Sequence, residues 1–173
     1  MDNHYSLWLM PEGKDKEKLQ IMIRELSDKY TTPVFPPHIT LIGGINLDKE
    51  DVVEKTRQLS ERLCPYRIEL TKPGYLNQYF RCVFSLVNKT REVMHANKVA
   101  QEVFDIKEDY MPHLSLLYGD FPEKTKKKII SGIEEIRLSF IANTIYIYKT
   151  GKEVNKWHTV SEFSLQGNYK RIR

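Results

Sequence analysis

Two short segments repeat one pattern of proton-moving side chains 75 residues apart, at His38 and His113. Pro37-His38-Ile39-Thr40-Leu41 and Pro112-His113-Leu114-Ser115-Leu116 each read Pro, His, an apolar residue, a small hydroxyl residue, Leu. Successive side chains of a β-strand point to opposite faces. Each pattern therefore presents an imidazole and a hydroxyl on one face and sends apolar residues into a core. Two such strands side by side would surround a polar cleft with two imidazoles and two hydroxyls. Imidazole titrates near neutrality, so one ring can be neutral while the other is protonated. A neutral ring removes a proton from water and a cationic ring protonates a departing sugar oxygen, each worth on the order of 10²–10⁴ in rate. Thr40 and Ser115 are expected to donate hydrogen bonds to nonbridging phosphate oxygens, stabilising phosphorane-like charge. A single strand histidine is ordinarily a packing residue. Packing alone does not require one twice at equivalent places, and the pseudo-symmetry leaves the roles of base and acid exchangeable between His38 and His113.

The elements that must position these groups alternate along the chain. Tyr5 to Met10 reads as a strand ended by Pro11-Glu12-Gly13, and Lys16 to Tyr30 as a helix with Leu19, Ile23, Leu26 and Tyr30 at helical spacing. The first motif strand, His38 to Ile42, is expected to stop at Gly43-Gly44. Asp48 is a plausible N-cap for a helix burying Val52, Val53, Leu59 and Leu63, and Tyr66 to Leu76 is a strand. The order then recurs: a strand at Arg81 to Val87, a helix capped by Thr90, the second motif strand His113 to Leu117, and a helix over Pro122 to Ile133. A strand with alternation at Ile141, Ile145 and Ile147 lies within Glu135 to Lys149, and His158 to Leu165 is the last strand. The motif thus occupies the same slot in two halves, about 1–76 and 81–150, with a closing strand over 157–166. This predicts one domain over 1–173 that arose by duplication.

Length and composition narrow the class. The chain has 173 residues, 40% hydrophobic and 29% charged, ordinary for one globular domain. No apolar run approaches a membrane span, and the polar start, Met1 to Tyr5, does not read as a signal peptide. Cys64 and Cys82 read as reduced thiols in a reducing compartment, which leads to the expectation of a cytoplasmic protein. A net charge of +4 and a pI of about 8.9 fall short of broad nucleic-acid binding. The basic runs at 124–128 and 170–173 read as a solvated helix face and a tail before they read as substrate steering. No His, Cys and carboxylate set has metal-ligand spacing, so neither metal nor cofactor is expected.

The paired His-x-[Thr/Ser] motifs resemble the two-histidine (2H) phosphoesterase superfamily, and within it the cyclic phosphodiesterases of plants and yeast. The start Tyr5-Ser6-Leu7-Trp8-Leu9-Met10-Pro11, the segment Phe35-Pro36-Pro37-His38-Ile39-Thr40 and the segment Pro112 to Gly119 carry the likeness. The resemblance implies an α+β fold: a bilobal pseudo-twofold duplication with two antiparallel sheets facing a central cleft and helices outside. It implies metal-independent hydrolysis of 2′,3′-cyclic phosphates, or of ADP-ribose 1″,2″-cyclic phosphate from tRNA splicing, to phosphomonoesters. His38, Thr40, His113 and Ser115 carry over as catalytic residues. Tyr118 matches a tyrosine near the phosphate, and Trp8 matches an aromatic lining the substrate cleft. The expected partner is a small nucleotide-like cyclic phosphate bound by a monomer; RNA ends, 2′-5′ oligoadenylate and a non-catalytic nucleotide-binding module are the alternatives.

The other candidates are weaker. His4 and His95 read as bland, and His158 as either structural or at the cleft rim. Tyr75, Tyr79 and Phe80 are the best cleft aromatics among the remaining ones, and Arg81 reads as a solvated strand end before a phosphate contact. Tyr118 lies five residues beyond His113, so on an ideal strand it faces away. It reaches the cleft only if the strand ends or twists before Gly119.

Overall fold

The computed structural model describes residues 4–133 and 136–167. Along the chain run β1 (His4–Leu9), α1 (Gly13–Tyr30), β2 (Ile39–Ile45), α2 (Lys49–Arg62), β3 (Tyr66–Tyr75) and β4 (Val83–Val87). They are followed by α3 (Arg91–Phe104), β5 (His113–Leu117), α4 (Glu123–Ser131), β6 (Ser139–Ala142), β7 (Thr144–Thr150) and β8 (His158–Ser164). Thr90 caps α3 as expected, its Oγ1 accepting from the Val93 N–H at 3.3 Å. The basic tail at 170–173 lies outside the described residues.

All strands pair antiparallel, in the order β6-β3-β4-β5-β2-β1-β7-β8. The two motif strands are the central pair. They divide the curled sheet into two groups of four strands, β5-β4-β3-β6 and β2-β1-β7-β8, joined at one register pair, Ile39↔Leu114. The strand groups do not coincide with the chain halves expected from the repeat. β3 pairs with β4 and β6 of the second group, while β7 and β8 extend the first group beyond β1. Each half of the chain thus lends outer strands to the other half's motif.

Alternation supplies the core. Leu7 and Leu9 of β1, Ile39 and Leu41 of β2, Leu114 and Leu116 of β5, and Ile145 and Ile147 of β7 are fully buried in one apolar cluster. Burying each such side chain contributes roughly 1.5–3 kcal/mol. The helices cover this face: α1 packs on β5, α2 on β7 and β8, α3 on β2 and β3, and α4 on β3 and β4.

Gly43 and Gly44 do not end β2. The register runs Tyr5↔Ile45, Leu7↔Ile42 and Trp8↔Thr40, so β2 carries extra residues opposite β1. Gly44 takes φ +66°, a conformation glycine adopts without penalty, and the strand bulges rather than stops.

Candidate active site

The local sequence orients both imidazoles before any tertiary contact is made. Each histidine follows a proline, and the residue before a proline is driven to extended backbone. That aims the carbonyl two residues upstream at the ring: Pro36 O lies 2.7 Å from His38 Nδ1, and Met111 O lies 2.8 Å from His113 Nδ1. A carbonyl only accepts, so both rings carry their proton on Nδ1 and leave Nε2 for chemistry.

The register then sets the four groups around one centre. Extending Ile39↔Leu114 by one residue each way puts His38 opposite Ser115 and Thr40 opposite His113. Each imidazole faces the hydroxyl of the other motif, and the two imidazoles lie on a diagonal. Diagonal neighbours on antiparallel strands are separated by roughly 7–8 Å, enough to flank a phosphate from two sides. All four residues line one cleft of about 500 Å³, together with Trp8, Phe80, Arg81, Glu108, Tyr118 and Trp157.

Burial governs the charge state. It lowers the His38 pKa from 6.5 to about 3, against the opposing pull of the Pro36 carbonyl, and His113 lowers it further. Burial also lowers His113, with the Met111 carbonyl opposing and the Arg81 cation reinforcing. Burial raises the Glu108 carboxyl beside Arg81 and pushes the Tyr118 phenol upward, the Ser115 hydroxyl partly offsetting the latter. Ser115 Oγ–H donates to Phe80 O at 3.0 Å, tying the second motif to the turn at Tyr79–Arg81. Donation to a phosphate needs that proton to swing away. Among the described residues no group of three or more His, Cys, Asp or Glu side chains is placed to hold a metal ion.

Aromatic rings wall the cleft. Tyr118 enters it because β5 ends at Leu117 and the chain turns at Gly119, whose φ of +149° and close approach to Phe121 exclude a side chain. Its ring stacks on Phe35 at 3.7 Å and meets the edge of Phe80 at 5.2 Å. Trp8 lines the cleft, but it is 1% exposed and stacked between His38 from the β2 side at 3.5 Å and Tyr148 from the β7 side at 3.8 Å. With both faces covered, the indole offers no platform to a base. Exposed aromatic surface lies instead at Phe80, 43% exposed, with its ring centroid 5.7 Å from that of Trp157.

The minor candidates separate cleanly. Arg81 and His4 line the cleft, although His4 reads as bland in the sequence. Tyr75 instead donates to Glu123 at the surface, and His158 is exposed, with Nδ1 on Lys156 O. His95 lines a separate cavity with Cys64, which is buried and unbridged like Cys82. Tyr148, Trp157, Tyr110 and Asn97 escape a reading of the chain. The one usable signal is Asn97, a lone amide within the apolar stripe of α3 formed by Val93, Ala96, Val99 and Ala100.

Comparison with known proteins agrees with this geometry. A family model described as cyclic phosphodiesterase-like protein matches residues 3–165. The cyclic phosphodiesterase of Arabidopsis thaliana is 28% identical, the match covering 93% of this chain and 94% of that one. The structure of TT0787 from Thermus thermophilus superimposes with a TM-score of 0.68 at 13% identity, covering 96% of this chain and 100% of that one. E. coli LigT complexed with 3′-AMP gives 0.65 at 11% identity, covering 95% and 99%. These two share the fold of this chain. The match over nearly the whole chain, with both motif strands at the sheet centre, shows that the chain belongs to the cyclic phosphodiesterase-like protein family.

Proposed function

We propose that this enzyme hydrolyses 2′,3′-cyclic phosphates of nucleotides, or ADP-ribose 1″,2″-cyclic phosphate, to phosphomonoesters without a metal ion. The carrying observation is the Ile39↔Leu114 register, which sets two Nδ1-pinned imidazoles on a diagonal with a hydroxyl opposite each. A phosphate at the centre has one Nε2 on the side of the attacking water and the other on the side of the leaving sugar oxygen. One ring, neutral, takes the water proton as the new P–O bond forms. The other, cationic, gives its proton to the sugar oxygen as the ring P–O bond breaks. The Thr40 hydroxyl, and that of Ser115 once turned from Phe80 O, meet the nonbridging oxygens.

Burial favours the neutral form of both imidazoles, so the acid acquires its proton with the substrate. The phosphate anion does this: an opposite charge within a few ångströms favours the cationic ring. Phe80, beside Trp157, supplies a stacking surface for a base, a contact worth roughly 1–3 kcal/mol. The cleft volume of about 500 Å³ suits a mononucleotide-sized ligand. E. coli LigT, which shares this fold, has been solved with 3′-AMP, NADP+ and ATP.

The test is turnover of a panel of 2′,3′-cyclic nucleotides after exhaustive EDTA treatment, with product regiochemistry read by phosphorus NMR. We expect full activity and one phosphomonoester isomer. Loss of activity restored by Mg²⁺, Mn²⁺ or Zn²⁺ refutes the metal-free mechanism. A steep fall of affinity with salt refutes a small substrate in favour of RNA ends.

A further inference from the structure

β2 and β5 share one register pair, Ile39↔Leu114, beside the cleft. The next two carbonyls of β2 are taken by side chains. Thr40 O accepts from the Tyr110 hydroxyl at 3.2 Å, and Leu41 O accepts from Asn97 Nδ2 at 2.8 Å. Both donors belong to the second motif's part of the chain, Asn97 on α3 and Tyr110 on the segment that leads into β5.

These two contacts form one brace. Asn97 is 3% exposed, and its Oδ1 accepts from Gln101 Nε2 at 2.6 Å. Gln101 Nε2 also donates to Glu108 O at 3.0 Å, so the amide pair fastens β2 to the segment after α3. Tyr110 lies on that segment, and the next residue, Met111, holds the His113 ring. Thus one side chain grips the first motif while the adjacent carbonyl orients the imidazole of the second. Burial, with Glu108 adding, raises the Tyr110 phenol above its ordinary value, so it stays a donor at any working pH. Packing does not explain Asn97 either, because an aliphatic side chain would fill that stripe of α3 without needing a partner.

We propose that Tyr110 and Asn97 are positioning residues that set the separation of the two imidazoles, adding side-chain ties to two motif strands that share a single register pair. The inference rests on the two-histidine reaction proposed above. Its chemical consequence follows from geometry: displacing a reacting group by about 1 Å costs on the order of 100-fold in rate.

Tyr110→Phe tests this, since it deletes only the hydroxyl. We expect kcat on 2′,3′-cyclic AMP to fall about tenfold or more with KM within about threefold, and the Nε2–Nε2 separation in a crystal structure of the variant to widen. Tyr66→Phe is the control: that phenol is buried without a hydrogen-bond partner among the described residues, and its loss should leave kcat unchanged. Asn97→Leu should act on kcat in the same direction as Tyr110→Phe. A Tyr110→Phe enzyme with wild-type kcat, a KM effect alone, or an unchanged Nε2–Nε2 separation overturns the proposal. If wild type turns over no cyclic phosphate while the separation still widens in the variant, the reaction fails and the brace stands.

Discussion

The indole of Trp8 lies 8° from parallel to the imidazole of His38, with ring centroids 3.5 Å apart. A residue of β1 thereby holds the imidazole beside it in a fixed plane. Among the described residues His113 has no such stack, only the edge of Phe84 at 5.3 Å. The two motifs are alike in sequence and unlike in support.

From that contact we predict that Trp8→Leu lowers kcat by about tenfold while KM changes little, because the ring it removes orients His38 rather than binding substrate. Stability should also fall, since truncating a fully buried tryptophan costs about 3–5 kcal/mol in the extreme case of alanine. Steady-state kinetics beside thermal melting check this. A tenfold rise in KM at unchanged kcat would show that the indole does meet the base.

His38→Ala and His113→Ala should each nearly abolish turnover, and the double variant should be little worse than either, because acid and base act as a unit. Thr40→Ala should cost roughly 10²–10³ in kcat, as for one oxyanion-type donor. Ser115→Ala should cost at least as much and also loosen the Phe80 turn, since Ser115 holds the Phe80 carbonyl. Strictly additive losses in the histidine pair would mean that the second motif is structural.

The lowered imidazoles make two pH statements. The free enzyme governs kcat/KM and the complex governs kcat. Since bound phosphate raises the pKa of the acid, the kcat optimum should lie at higher pH than the kcat/KM optimum; coincident bells would argue against anion-driven protonation. For stability, an unfolded histidine gains its proton below about 6.5, whereas folded His38 gains it only near 3. The unfolded state binds more protons in that window, so stability is lost as pH falls from 6.5 towards 3. His38→Gln should lose less over the same range, measured by urea melts at about pH 7 and about pH 4.

Lys126 is a buried ammonium, 3% exposed, that donates to Leu76 O at 3.1 Å and to Asn77 Oδ1. It fastens the start of the turn that carries Phe80 and Arg81. Lys126→Met leaves two acceptors without their donor, costing about 1–3 kcal/mol. KM should rise more than kcat falls, because the displaced group is at the substrate rim. A variant with unchanged melting temperature and KM would remove Lys126 from the account of the cleft.

The parts legible in the chain are those written locally. The motif strands follow from period-two alternation around His38 and His113, and α3 from its apolar stripe and the Thr90 cap. Tyr118 is conditional on where β5 ends, and the turn at Gly119 decides it. What escapes depends on distant partners. The burial of Trp8 is one case, because nothing near it in sequence shows that His38 and Tyr148 cover its two faces. Tyr110 and Asn97 find their acceptors 70 and 56 residues away. Gly43-Gly44 carries the same composition whether a strand stops or bulges, and only the pairing of β1 with Ile45 beyond the glycines decides between them. The strand order is hidden for the same reason: β3 follows β2 in sequence but hydrogen-bonds to strands that come later.

That exchange of outer strands bears on how the enzyme could be taken apart. A cut between β3 and β4 yields one fragment with β1 and β2 but without β7 to close the outer edge of β1. The other fragment holds β4 and β5 but lacks β3 between β4 and β6. Each fragment carries one histidine motif and exposes the backbone edge its counterpart completes. Mixed together, they are expected to behave as a split-enzyme pair, in which recovered turnover would report reassembly of the sheet rather than refolding of either fragment.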